Sequence, residues 1–180
     1  MKKYLLGIVF LSIAIAKGQA QVYMTRTGFV GFYSKTSVED IKAENHQAFA
    51  AVDPTKKTVA FAVLLKGFTF PKELMQEHFN ENYMESDKYP KATFAGSYSG
   101  DVDPAKDGTY PVTVKGTLTM HGVSKDVEIQ GNLEVKGGQI VIDGSFPVVP
   151  EDYNVSIPSL VREKIQKNLK VTVQAACDKH

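Results

Sequence analysis

Tyr110-Pro111-Val112-Thr113-Val114-Lys115-Gly116-Thr117-Leu118-Thr119-Met120 alternates strictly. Tyr110, Val112, Val114, Gly116, Leu118 and Met120 fall on one side, and Thr113, Lys115, Thr117 and Thr119 on the other. A period of two is the signature of a strand with one face buried and the other wetted. Val127, Ile129, Gly131, Leu133 and Val135 repeat the pattern against Glu128, Gln130, Asn132 and Glu134. The connection His121-Gly122-Val123-Ser124-Lys125 makes the two strands a hairpin. A turn at Lys136-Gly137-Gly138 leads to Ile140, Ile142, Gly144, Phe146 and Val148, so the sheet continues as a meander.

Working outward, Leu169, Val171, Val173, Ala175 and Cys177 alternate with Lys170, Thr172 and Gln174. Cys177 therefore points inward as a small, inert apolar residue. Four weaker strands are expected in the first half, at 28–34, 41–52, 58–67 and 92–100, separated by turns rich in Asp, Pro and Gly at 53–57 and 101–108. Eight strands joined in sequence and sharing one apolar face predict an all-β fold, an eight-stranded antiparallel barrel, because closure removes exposed edges. The segment 70–83 breaks the rhythm: proline stands near its start, and Met75, Phe79 and Tyr83 follow at i, i+4 and i+8. That spacing predicts a short amphipathic helix capping one end of the barrel. A lesser helical turn is expected at 159–166, after Pro158.

The start of the chain has a different character. Met1-Lys2-Lys3 precedes a run of about a dozen apolar residues from Leu5 to Ala16, the length of a signal-peptide core and short of the roughly 20 residues that span a bilayer. Gly18 and Ala20 supply the small residues a signal peptidase requires. Cleavage is expected after Ala20, giving a signal peptide at 1–20, a single domain at 21–180 and a periplasmic or secreted product with no stable membrane span. Removal of Lys2, Lys3 and Lys17 changes the net charge from +1 to −2, 18 basic residues against 20 acidic. Nothing in that balance points to nucleic acid. With one cysteine in the chain, neither an internal disulfide nor a cysteine-based zinc site is available.

Two stretches carry a resemblance to a known family. Tyr89-Pro90-Lys91-Ala92-Thr93-Phe94 and the later Gly116-Thr117-Leu118-Thr119-Met120-His121-Gly122-Val123-Ser124-Lys125 resemble the strand entry and the hairpin of the YceI-like family. The likeness extends over about 58–177. Two departures stand beside it: Thr27-Gly28-Phe29-Val30-Gly31-Phe32-Tyr33-Ser34 replaces the family's histidine-bearing opening, and Pro150-Glu151-Asp152-Tyr153-Asn154-Val155 replaces its acidic-arginine stretch. The resemblance implies a lipocalin-like, eight-stranded barrel in the periplasm that holds an isoprenoid or isoprenoid quinone in its lumen.

The inward list is compatible with such cargo: Phe61, Val63, Phe68, Phe94, Tyr98, Val112, Val114, Leu118, Met120, Ile129, Leu133, Ile142, Phe146 and Val171, with Gly116 and Gly131 leaving space between them. Each methylene removed from water contributes about 0.8 kcal/mol, so an apolar lipid-like molecule binds such a wall without a salt bridge. The candidate ligand-binding residues are Phe61, Val63, Phe68, Phe94, Tyr98, Leu118, Met120 and Phe146 in the lumen, with Met75, Phe79, Tyr83 and Tyr153 at the mouth. An eight-stranded barrel is also narrow enough to be filled by its own side chains. The alternative is therefore a solid-core envelope protein acting through protein contacts.

His46, His78, His121 and His180 show no metal-ligand spacing, and no nucleophile elbow, phosphate loop or dinucleotide fingerprint is present. The sequence thus supplies no catalytic residue, no metal site and no cofactor other than a bound lipid, and it leaves open whether two copies pair.

Overall fold

The computed structural model describes residues 21–180; the cleavage expected after Ala20 lies outside the described residues. Eight strands, β1 (Tyr23–Lys35), β2 (Asp40–Asp53), β3 (Thr58–Leu64), β4 (Lys91–Ser99), β5 (Gly108–Met120), β6 (Val123–Lys136), β7 (Gln139–Val148) and β8 (Leu169–Lys179), form a closed barrel in sequence order. Each pairs antiparallel with the next, and β8 returns to β1. The predicted fold is thus the observed one.

The hairpin that decides the fold is tighter than the sequence suggests. Met120 pairs directly with Val123, so the turn is only His121-Gly122, both at positive φ (51° and 76°). That is the backbone of a two-residue turn whose twist matches the flanking strands. Gly137-Gly138 repeats the solution between Lys136 and Gln139. At the start, β1 extends five residues earlier than predicted. Irregular register between Thr25 and Val30 interrupts its alternation and hides the strand from a period-two reading.

Pairing is uneven around the barrel. β5 and β6 share thirteen register pairs, whereas β2 and β3 share five and β6 and β7 six. Both short ladders lie at the end where β2 finishes and β3 begins, which we call the base. Toward the opposite end, the mouth, the barrel opens into two sheets, β3 to β6 and β7 to β2. The segment 65–70 fills the first gap and is bound to β2 through reciprocal backbone bonds between Glu44 and Thr69. Chain 149–157, leaving β7, lies beside the tip of the β5–β6 hairpin, where the Tyr153 carbonyl meets His121.

The base is packed solid: Ile140 and Cys177 are fully buried, and Leu133, Val52, Val135 and Tyr23 nearly so. Asp53 closes the β2–β3 turn there, accepting the backbone N–H groups of Thr55 and Lys56 at 3.0 and 3.1 Å. Burial would raise its carboxyl, but those donors and the Lys56 ammonium at 3.1 Å outweigh it and hold the pKa below the usual carboxylate range. Outside, the β5 and β6 faces are polar, with Lys115 bonded to Glu128 at 3.0 Å. A membrane-spanning barrel instead carries an outward apolar band.

Candidate functional site

Between the two sheets, on the mouth side of the solid base, lies a cavity of about 510 Å³, within the range that holds a small-molecule ligand. All eight strands contribute to its lining, because inward positions recur every second residue. Val30 and Phe32 come from β1, Val59, Phe61 and Val63 from β3, Leu118 and Met120 from β5, and Phe146, Val171 and Val173 from β7 and β8. The barrel is therefore not the solid-core alternative. Gly131 and Gly144, opposite each other in the last pair of the short β6–β7 ladder, help to line it. Gly116 does not leave the expected space: a Cβ there would lie 2.7 Å from the Phe94 ring, which already covers it.

A lid covers part of the mouth. Helix α1 (Glu73–His78) runs into a wider π turn over Phe79–Tyr83, so Met75, Phe79 and Tyr83 all face the cavity as their spacing predicted. Phe79 is the centre of an aromatic cluster, stacked on Phe32 at 5.6 Å and tilted against Phe68 and Phe70 at 5.6 and 5.1 Å. Such ring pairs contribute about 0.5–1.5 kcal/mol each beyond the area they bury. Burial pushes the Tyr83 phenol above its ordinary range, so it stays a neutral hydroxyl.

The lid is tethered at its C-terminal side. Ser86, nearly fully buried, donates its hydroxyl to Asn80 Oδ1 at 2.7 Å. His121 lies 2.8 Å through Nε2 from Glu85 and 3.0 Å through Nδ1 from the Tyr153 carbonyl, with Tyr89 packed edge-on at 4.5 Å. The hairpin histidine is thus a joint between the lid, the hairpin and the chain after β7, not a solvent-facing turn residue.

Polar groups meet the cavity chiefly around its rim. Glu39 is bonded to Lys72 at 2.8 Å, and Ser34, His78 and Lys164 stand nearby in the lining. The hydrogen bond from Lys72 holds the Glu39 carboxyl below its usual range against the opposing effect of burial, and Lys72 and Lys164 add their charge.

Ten of the twelve sequence-predicted residues line this space: Phe61, Val63, Phe68, Met75, Phe79, Tyr83, Phe94, Leu118, Met120 and Phe146. Tyr98 and Tyr153 do not. Tyr98 has the right face but the wrong depth, being buried beside Lys57 at the base. Tyr153 is tucked into the core by the 3-10 turn Pro150–Tyr153, which ends at Asn154 with φ 59°. Phe32, Phe70, Val155 and Ile157, outside the sequence-predicted set, also line the cavity. Among the described residues, no three His, Cys, Asp or Glu side chains gather as metal ligands.

Residues 15–177 match the YceI-like domain. The chain belongs to the YceI-like family. Comparison with curated proteins gives no match. Among solved structures, a polyisoprenoid binding domain from Saccharophagus degradans, implicated in plant cell wall breakdown, superposes with TM-score 0.76 at 16% identity, covering 90% of this chain and 100% of its own. BcnA of Burkholderia cenocepacia gives 0.66 at 19% identity, covering 82% and 94%. The YCEI protein of Campylobacter jejuni gives 0.52 at 19%, covering 98% of both chains. At these identities the likeness speaks for the YceI-like barrel as a fold. Among the described residues no helix is long and apolar enough to cross a membrane.

Proposed function

We propose that this YceI-like barrel is an exported carrier or buffer that holds the hydrocarbon chain of an isoprenoid, an isoprenoid quinone or a similar amphiphile, and that it acts by binding rather than by catalysis. The observation that carries this reading is the cavity: about 510 Å³, walled chiefly by aliphatic and aromatic side chains, with Glu39, Lys72 and Lys164 at the rim. A chain inserted tail first leaves water methylene by methylene, at about 0.8 kcal/mol each, while its polar head stays among the rim groups. Family membership and the polyisoprenoid binding domain of similar fold support the same cargo class. The basic start and short apolar run of residues 1–20 support export, with cleavage after Ala20 leaving 21–180 as one domain.

Mass spectrometry of an organic extract, taken from protein purified without detergent, tests the proposal. One prenyl or quinone species per chain is the expected result. A folded protein with an empty extract that also takes up no prenyl chain overturns it. The mass of the purified chain shows at the same time whether Gln21 is its first residue.

A further inference from the structure

Four large apolar residues are conspicuously exposed among the described residues: Val38 (56%), Leu64 (60%), Leu74 (60%) and Leu160 (92%). All four lie at the mouth end. Val38 is in the β1–β2 turn, Leu64 ends β3 where it meets the start of β4, Leu74 is in α1, and Leu160 is in the 3-10 turn Ser159–Lys164. The three turn and lid segments converge on the opening. Lys72, beside Leu74, bonds Glu39, beside Val38, at 2.8 Å, and the Gln166 N–H reaches Ser34 Oγ at 2.8 Å, drawing the Leu160 segment to the end of β1. Among the described residues, no large apolar residue is comparably exposed at the base.

We propose that the mouth is a docking surface for a lipid bilayer, with Val38, Leu74 and Leu160 entering the apolar layer around the opening. The proposal rests on the carrier reading above and names the surface with which the carrier exchanges its cargo. Two observations select a bilayer over a protein. The exposed apolar groups are isolated aliphatic tips on separate segments, interrupted by Glu39, Lys72, Glu73, Arg162 and Glu163. A stable protein interface buries about 800 Å² per partner around a contiguous core, which these tips do not offer, whereas a fluid bilayer accepts separated tips without shape complementarity. The tips also surround the entrance of an apolar cavity, so contact there lets a hydrocarbon chain pass between two apolar phases without crossing water. At the rim Lys72 pairs with Glu39 and Arg162 with Glu151, both at 2.8 Å, and the remaining rim charges Glu73, Glu163 and Lys164 are of mixed sign. Insertion of the apolar tips, rather than attraction of one charge sign, is therefore the driving force of docking.

Leu160→Asp and Val38→Asp test the surface without touching the cavity, since neither residue lines it. Thr109→Asp, exposed at the base, controls for added charge. Protein made from the full chain is floated with neutral phosphatidylcholine vesicles, and transfer of a fluorescent prenyl probe from those vesicles is followed. Expected are co-flotation of the wild type and of Thr109→Asp, and a drop of about tenfold or more in partition and transfer rate for Leu160→Asp and Val38→Asp, the size that losing one aliphatic insertion gives. Equal partition of rim variants and wild type overturns docking, as does wild-type transfer independent of vesicle concentration. A wild-type dimer split by the rim variants assigns the tips to a second copy instead and likewise overturns it. Loading of the probe from a cyclodextrin without vesicles separates the two readings. Wild type that loads there while docking fails leaves the carrier standing; wild type that floats yet never loads leaves the surface standing and removes the cargo.

Discussion

At the base of the barrel Ile140 and Cys177 face each other across β7 and β8, both fully buried. Four residues further along the same two strands, toward the mouth, Gly144 faces Val173 and both line a cavity. The ladder is continuous through this change; what differs is the other side of the barrel. At the base, β6 and β2 are paired to their neighbours β7 and β3. At the mouth they are not, and the two sheets diverge. Stability and capacity thus occupy different lengths of the same strands.

The largest expected effect separates the two ends. Ile140→Ala opens a void that close-packed neighbours cannot fill and should cost about 3–4 kcal/mol. Leu118→Ala enlarges a space that already exists and should cost about 2 kcal/mol, the low end for such a truncation, while weakening ligand retention. Urea unfolding of both, with ligand stripped, measures the difference, and equal costs would dissolve the division. Glycines give a finer version. Gly116→Ala drives a Cβ into the Phe94 ring and the neighbouring strand and should cost about 1–3 kcal/mol. Gly144→Ala meets nothing closer than 3.7 Å and should cost under about 1 kcal/mol.

The division explains what the sequence could and could not disclose. Period two says which face a side chain occupies and nothing about its depth along the barrel axis. Phe94 and Tyr98 stand on one face of β4, yet only Phe94 reaches the cavity. Phe29-Val30-Gly31-Phe32-Tyr33 puts aromatic rings on both faces, so Phe32 carried no signal that it would anchor the lid cluster. Phe70 belongs to a segment that fills the gap between β2 and β3, which no local pattern encodes. The left-handed backbone of His121 was equally hidden, because histidine, unlike glycine, does not announce positive φ. By contrast, Met75, Phe79 and Tyr83 were legible because one helical face is a local property, and the π turn at its end kept all three on the cavity.

Two smaller effects probe the base alone. Asp53 has a pKa lowered in the folded state, so its contribution is complete above the unfolded carboxylate value near 4 and is lost as pH falls through the lower folded value. Asp53→Asn should remove about 1–2 kcal/mol at pH 7 and flatten the decline in stability as pH falls below the ordinary carboxylate value near 4. An unchanged acid limb in the variant would place that decline elsewhere. Smallest is the thiol. Burial, with Asp178 adding to it, pushes Cys177 up to about 12, so at pH 8 it is protonated as well as enclosed. Iodoacetamide should label it only at the rate of global unfolding, and ligand, gained or lost at the other end, should slow labelling only by stabilising the whole fold. Rapid labelling of folded protein would show that the base breathes on its own.

Because β8 closes the barrel against β1, Tyr23 pairs with Lys179, the second-last residue of the chain. The meander β5–β6–β7, with its two-residue turns, can assemble while the rest of the polypeptide is still arriving, but the enclosure needs β1 and β8 together. The container therefore has no half-built working form: a chain truncated before β8 is an open sheet with unpaired edges at β1 and β7, and filling must come after the last strand is delivered.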